Sequence, residues 1–167
     1  MSDAQAIETI QFLTFKLGEE IYGVDVLQVR EVLDAVPVTK VPRSPDFMLG
    51  VINLRGSVVP VVDMRCKFGM ELADKSRDTC IVVMEIALEG ETTVIGALAD
   101  AVEEVLELTE AQIEPAPKLG TRLNTEFIRG MGKREEQFII LLEVDKIFSA
   151  EELSVVTGAA ETPGKEY

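Results

Sequence analysis

Arg55, in the run Asn53-Leu54-Arg55-Gly56, stands between two strongly apolar stretches. Its planar guanidinium has the shape to grip a carboxylate on a partner, and the alternative is an ordinary solvent-facing turn residue. Asp25, Asp63 and Asp100 each follow an apolar run. A carboxylate in that position accepts backbone N–H bonds at a turn or cap, and their spacing is not that of a calcium loop. Cys66 and Cys80 form no CxxC pair, and Cys80 opens an apolar run, where a thiol behaves as a small hydrophobe. The chain contains no histidine. That absence removes Ser–His and Cys–His nucleophile pairs, histidine-ligated zinc and the usual acid–base group near neutral pH. No GxGxxG, P-loop, GxSxG or HExxH run occurs. Carboxylates are plentiful enough for a glycosidase-like pair, but the aromatic platforms that accompany such pairs are missing, with aromatics at 5% and no tryptophan. The chemistry-bearing residues thus point away from an enzyme, a metal or a cofactor and toward a protein that binds other proteins.

The bulk properties agree. A chain of 167 residues, 47% of them hydrophobic, can build one domain or two small subdomains around a proper core. No run approaches the roughly 20 apolar residues of a membrane span, and the start, MSDAQAIETIQ, lacks the basic and apolar blocks of a secretory leader. A cytoplasmic protein is expected. The net charge of −14, concentrated in the second half, repels nucleic acid and anionic membranes. It reads as charge for solubility rather than as a dedicated acidic docking face.

The elements that must position these residues are short strands. Ile10 to Leu17 alternates, turns at Gly18-Glu19-Glu20, and continues as Ile21 to Val26 and Val29 to Leu33. A proline-rich connector covers 36–45, with Ser44-Pro45-Asp46 able to cap one helical turn. Phe47 to Leu54 and Val58 to Val62 flank a hairpin at Arg55-Gly56. Further runs are Thr79 to Leu88, Thr93 to Leu98, Val102 to Leu108, Phe127 to Met131 and Phe138 to Val144, mostly too short and too β-branched for helices. Thr109 and Glu110 can open one helical turn, and Asp145 through Val156 reads as a short helix with Ser149 and Glu152 spaced as a capping box. Alternation puts Val29 and Glu31 on the same face of their strand. Either Val29 is packed and Glu31 marginal, or both belong to a binding surface.

The chain also repeats itself. Gly23–Leu33 aligns without gaps onto Gly96–Leu106, matching Gly23/Gly96, Val29/Val102, Glu31/Glu104, Val32/Val105 and Leu33/Leu106. In the same order, Phe47-Met48-Leu49-Gly50 matches Phe127-Ile128-Arg129-Gly130, each before a hairpin, with prolines between the two matches in both halves. Two matches in register indicate a duplication. The half length suits a five-stranded barrel, so a domain over 10–155 is expected, with subdomains near 10–78 and 79–148 and flexible tails at 1–9 and 157–167. Two barrels side by side leave a groove between them, a favoured place for binding.

The run from Val51 to Arg65, VINLRGSVVPVVDMR, resembles the signature of the CheW family of bacterial chemotaxis coupling proteins. FLTFKLGEEIYGVDVLQVREV, ALADAVEEVLELTEAQIEPAP and FIRGMGKREEQFIILLEVDKI agree in order, so the resemblance covers about residues 10–155. It implies an all-β fold of two SH3-like five-stranded barrels with a short C-terminal helix. It also implies a non-enzymatic adaptor that joins the histidine kinase CheA, through its regulatory domain, to the cytoplasmic hairpin tips of chemoreceptors. Carried over residue by residue, Val29, Glu31, Gly50 and Arg55 match kinase-binding positions, while Val102, Val105 and, more loosely, Ile81 match receptor-binding ones. The acidic C-terminal tail departs from the pattern and has no assigned role. The rival readings are an adaptor of a non-flagellar chemosensory pathway and a small-ligand-binding or carboxylate-dependent enzymatic β-barrel.

Overall fold

The computed structural model describes residues 8–34, 36–70, 77–116 and 125–149. Ten strands and one short helix follow one another as β1 (Thr9–Leu17), β2 (Glu20–Asp25), β3 (Val29–Asp34), β4 (Met48–Leu54), β5 (Ser57–Val62), α1 (Met64–Lys67), β6 (Cys80–Leu88), β7 (Glu91–Ala99), β8 (Ala101–Thr109), β9 (Ile128–Arg134) and β10 (Gln137–Leu142). They form two five-stranded sheets, ordered β8-β1-β2-β10-β9 and β3-β6-β7-β5-β4, each curled into a half-barrel. The all-β expectation and its strand positions are met.

The two orders are one order. Replace β1 to β5 by β6 to β10, and β6 to β10 by β1 to β5, and the first sheet becomes the second. Even the parallel pairings correspond, Tyr22 and Gly23 against Ile140 and Leu141, Gly96 and Ala97 against Val61 and Val62. The expected division into 10–78 and 79–148 is nevertheless corrected as a description of the barrels. β1 and β2 pair with β8, β9 and β10 from the second half, and β3, β4 and β5 pair with β6 and β7. The reason lies in the repeated segment itself. Gly23–Leu33 and Gly96–Leu106 each contain the corner where the chain leaves one sheet and enters the other, so each half contributes strands to both barrels.

The long apolar runs of the central strands follow from this exchange, because those strands are covered on both faces. In β6, Cys80, Val82, Met84, Ile86 and Leu88 face a core shared by the two barrels, whereas Ile81 and Val83 point into one barrel. In β1, Phe15 and Leu17 join the shared core and Phe12 fills the other barrel. β3 and β8 lie at the sheet edges and carry the mixed polar and apolar patterns.

Aromatic pairs at matching positions seal the junction. Phe47 packs on Phe148 at 5.2 Å, Phe68 on Phe127 at 6.2 Å, and the Lys67 ammonium sits 5.1 Å from the Phe47 ring. Tyr22 is stacked between Phe15 and Phe68, where burial, reinforced by Glu20, pushes its phenol up to about 12. Asp63 caps α1 by accepting the Arg65 N–H at 3.0 Å. Arg65 itself, 1% exposed, pairs with Asp100 and lies 3.8 Å from Asp63.

Two helical expectations change. Ser44-Pro45-Asp46 forms no helical turn, because the Pro45 carbonyl accepts Met48 N–H at 2.9 Å and the chain runs straight into β4. The expected helix from Asp145 through Val156 is described only as far as Ser149, over which the chain makes a single 3-10 turn, Val144–Lys146. Its remainder lies outside the described residues. The turn expected at Thr109 is present as a 3-10 turn, Glu110–Gln112, with Thr109 and Gln112 as a capping box.

Candidate functional site

Edge strands leave backbone groups unpaired, so a curled sheet must manage two edges. In the β3 sheet the outermost strands are β3 and β4. Arg55, at the tip of the β4–β5 hairpin, adopts a φ of 52° and turns its guanidinium back across the gap. It donates two hydrogen bonds to Glu31 on β3, at 2.7 and 2.8 Å. Of the two alternatives open for Arg55, the structure has it paired, with a carboxylate of its own chain. Those bonds hold the Glu31 carboxyl below the usual glutamate range and push the guanidinium up. Val29 lies on the same face as Glu31 and packs, half-buried, against the shared core.

Beside the clasp is a concavity of about 380 Å³, lined by Arg30, Leu54, Arg55, Val58, Thr93 and Val94. Arg30 pairs with Glu85 at 3.2 Å. Two guanidinium groups next to an exposed valine, on a chain otherwise strongly acidic, suit an acidic partner surface with an apolar anchor.

Gly50 and Ile81 do not belong to any exposed surface. Gly50 is buried with a φ of 148°, and a Cβ there would lie 2.1 Å from the Thr39 carbonyl oxygen. The residue is glycine because the proline-rich connector crosses directly over it, pairing Thr39 with Val51. Ile81 is 1% exposed inside a barrel. Any influence of either on a partner is therefore indirect.

Val102 and Val105 lie on β8, the edge strand of the other sheet. Val102 is half-buried against the shared core and Val105 is 51% exposed. Thus Val29, Glu31 and Arg55 form one cluster, and the β8 pair marks a second surface on the other barrel. Sequence reasoning missed several exposed apolar residues. Leu27 is 91% exposed on a 3-10 corner, Val26–Gln28, capped by Asp25, and Phe138 is 50% exposed at the start of β10. Phe138 occupies the hairpin position of Val58, as Val105 occupies the strand position of Val32, and all four are exposed. The repeat, extended through both hairpins, held that signal.

Among the described residues no group of histidine, cysteine, aspartate and glutamate is arranged to hold a metal ion. Both cysteines are free, and burial pushes both thiols up, away from a reactive thiolate. Asp25 and Asp100 act on backbone as expected, accepting from Leu27 N–H at 2.9 Å and Gly18 N–H at 2.7 Å. No helix among the described residues is long and apolar enough to cross a membrane.

Comparison with known proteins bears on what such surfaces meet. Residues 11–152 match the CheW-like domain family. The chain is 38% identical over 152 residues to the chemotaxis protein CheW of Klebsiella aerogenes, spanning 91% of this chain and 89% of that one. To the chemotaxis protein CheW of Thermotoga maritima it is 32% identical over 158 residues, spanning 93% and 97%. The solved structure of the scaffolding protein TtCheW from Thermoanaerobacter tengcongensis superposes with a TM-score of 0.77 at 36% identity, covering 87% of this chain and 91% of that one.

Proposed function

This chain belongs to the CheW-like domain family, and on that premise we propose that it is a non-enzymatic chemotaxis adaptor coupling chemoreceptors to the histidine kinase CheA. It would work in the cytoplasm, recruited to receptor arrays. The observation that carries this reading is the presence of two distinct edge surfaces on one tightly joined body. The Glu31–Arg55 clasp with Val29 lies on one barrel, and Val102 with Val105 on the other. The shared core, with Phe47, Phe68, Phe127 and Phe148 at its junction, holds the two at a fixed spacing. A body of that kind can hold two partners in a set geometry without chemistry of its own.

The kinase's regulatory domain is assigned to the clasp and its concavity, whose arginines and exposed valine suit an acidic surface. The receptor's hairpin tip is assigned to β8. An adaptor passes a signal only if its contacts differ in strength between the receptor's signalling states. Individual contacts can be modest, because multivalency in an array multiplies them.

Calorimetric titration of the full chain with the kinase regulatory domain and, separately, with a receptor signalling-domain fragment tests the assignment. Arg55→Glu should weaken kinase binding about tenfold, the scale of a charge lost from a paired interface position, and leave receptor binding unchanged. Val105→Glu should do the reverse. Failure of the unmodified chain to bind either partner removes the coupling role, and an unfolded Arg55→Glu chain removes the assignment of Arg55 to an accessible surface.

A further inference from the structure

The β8 sheet has a clasp of its own, on a residue that neither the family signature nor the surface assignment points to. Arg134, the last residue of β9, reaches across to β8, the opposite edge of the same sheet. It donates to Glu104 at 2.6 Å and to Glu103 at 3.1 Å. Neighbouring residues on a regular strand point to opposite faces, so one side chain cannot ordinarily grip both. Here β8 is irregular. Val105 pairs with Leu13 and Val102 with Phe15, so β8 uses one more residue than β1 across this interval. A bulge of this kind turns consecutive side chains toward one side. The buried Thr14 hydroxyl fixes it, accepting Glu104 N–H at 3.0 Å and donating to the Glu104 carbonyl at 2.6 Å. Glu103 and Glu104 lie within the bulge, and Val102 and Val105 flank it.

We propose that Arg134 is a positioning residue for receptor binding, acting through Glu103 and Glu104 to hold the β8 bulge in the shape that sets Val102 relative to Val105. The proposal rests on the reading that β8 meets the receptor. Arg134 need not touch the receptor itself. Its planar fork spans two carboxylates, a task for which the single ammonium of lysine is poorly suited.

Receptor-fragment and kinase-domain affinities are measured for the full-length Arg134→Ala, Glu104→Gln, doubly substituted and Arg134→Lys chains, with Val105→Glu as reference. Arg134→Ala should weaken receptor binding about fivefold, the scale of one partly sheltered charge pair, with kinase affinity unchanged. Lysine should restore only part of the loss. If Arg134 acts through Glu104, the double substitution should bind no worse than Arg134→Ala alone. Unchanged receptor affinity in Arg134→Ala, while Val105→Glu abolishes binding, overturns the proposal and leaves the reading of β8 intact. A parallel fall in both affinities and in the unfolding midpoint also overturns it, since Arg134 is then structural support only. A harmless Val105→Glu removes the reading of β8 and the proposal with it.

Discussion

Arg65 and Asp145 occupy corresponding places after β5 and β10, yet they tie the barrels together by different means. The buried guanidinium of Arg65 pairs with Asp100, whose other oxygen accepts Gly18 N–H in the β1–β2 turn. In the second half the carboxylate comes directly from Asp145, which accepts Ala87 N–H at 2.8 Å and Gln28 Nε2 at 3.0 Å. Both links hold a strand or turn of a neighbouring hairpin. One is an ion pair taken out of water, and the other is a set of hydrogen bonds from neutral donors. A duplicated fold can therefore keep a mechanical connection while its two copies diverge in chemistry, and the two copies should fail differently.

The largest effect expected is at Arg65. Removing one member of a buried ion pair leaves the other's desolvation uncompensated, at a cost of about 3–5 kcal/mol. Arg65→Met should therefore shift the urea midpoint far more than Asp145→Asn, which loses neutral hydrogen bonds worth about 1 kcal/mol. Adding Asp100→Asn to Arg65→Met should recover part of the loss, because the stranded charge is gone. Equal shifts for Arg65→Met and Asp145→Asn would erase the contrast between the two links.

This asymmetry was not legible in the sequence, and the reason is physical. The alternating and two-faced apolar runs report burial, so the strands could be read directly from the chain. The repeat reported the duplication but not the exchange of strands, because hydrogen-bonded pairing between distant segments leaves no local trace. Asp63 and Asp100 were legible as caps, since a carboxylate beyond a strand accepts nearby N–H groups. Arg65 reads as a surface residue until the crossover brings Asp100 to it. At the candidate site, Glu31 and Arg55 could be picked out individually, but their pairing depends on the curl of the sheet. Gly50 and Ile81 were assigned to surfaces by resemblance and lie inside, because matching a motif carries identity and not exposure.

A second, intermediate contrast lies at Gly50 and Gly130, corresponding positions on β4 and β9. A Cβ at Gly50 meets backbone, the Thr39 oxygen, at 2.1 Å and a φ of 148° besides. At Gly130 the nearest atom is the Ile113 Cγ2 at 2.4 Å, with the Glu114 carbonyl oxygen at 2.9 Å. A side-chain methyl can rotate aside more readily than a connector can move. Gly50→Ala should cost about 2–3 kcal/mol, the upper part of the overpacking range, and Gly130→Ala less, both read from thermal midpoints. The reverse order would mean that the connector over Gly50 is the more compliant of the two.

The smallest effect on stability, and the sharpest on geometry, belongs to the Arg55–Glu31 clasp. Its charges face solvent, where an ion pair adds little to folding, so Arg55→Gln should leave the unfolding midpoint unchanged at neutral pH. The titration of Glu31 is another matter. Because Arg55 favours the ionised carboxylate, the folded-state value lies below the unfolded one. The clasp's contribution is then complete above the ordinary glutamate range and disappears as pH falls through the depressed value. Carboxyl-carbon NMR should find Glu31 titrating below the other exposed glutamates in the unmodified chain and returning toward them in Arg55→Gln. Were Glu31 to titrate with the rest in the unmodified chain, the β3 sheet would have no clasp in solution. Arg134 would then hold the one closed edge pair, and the kinase surface would have to be sought away from Arg55.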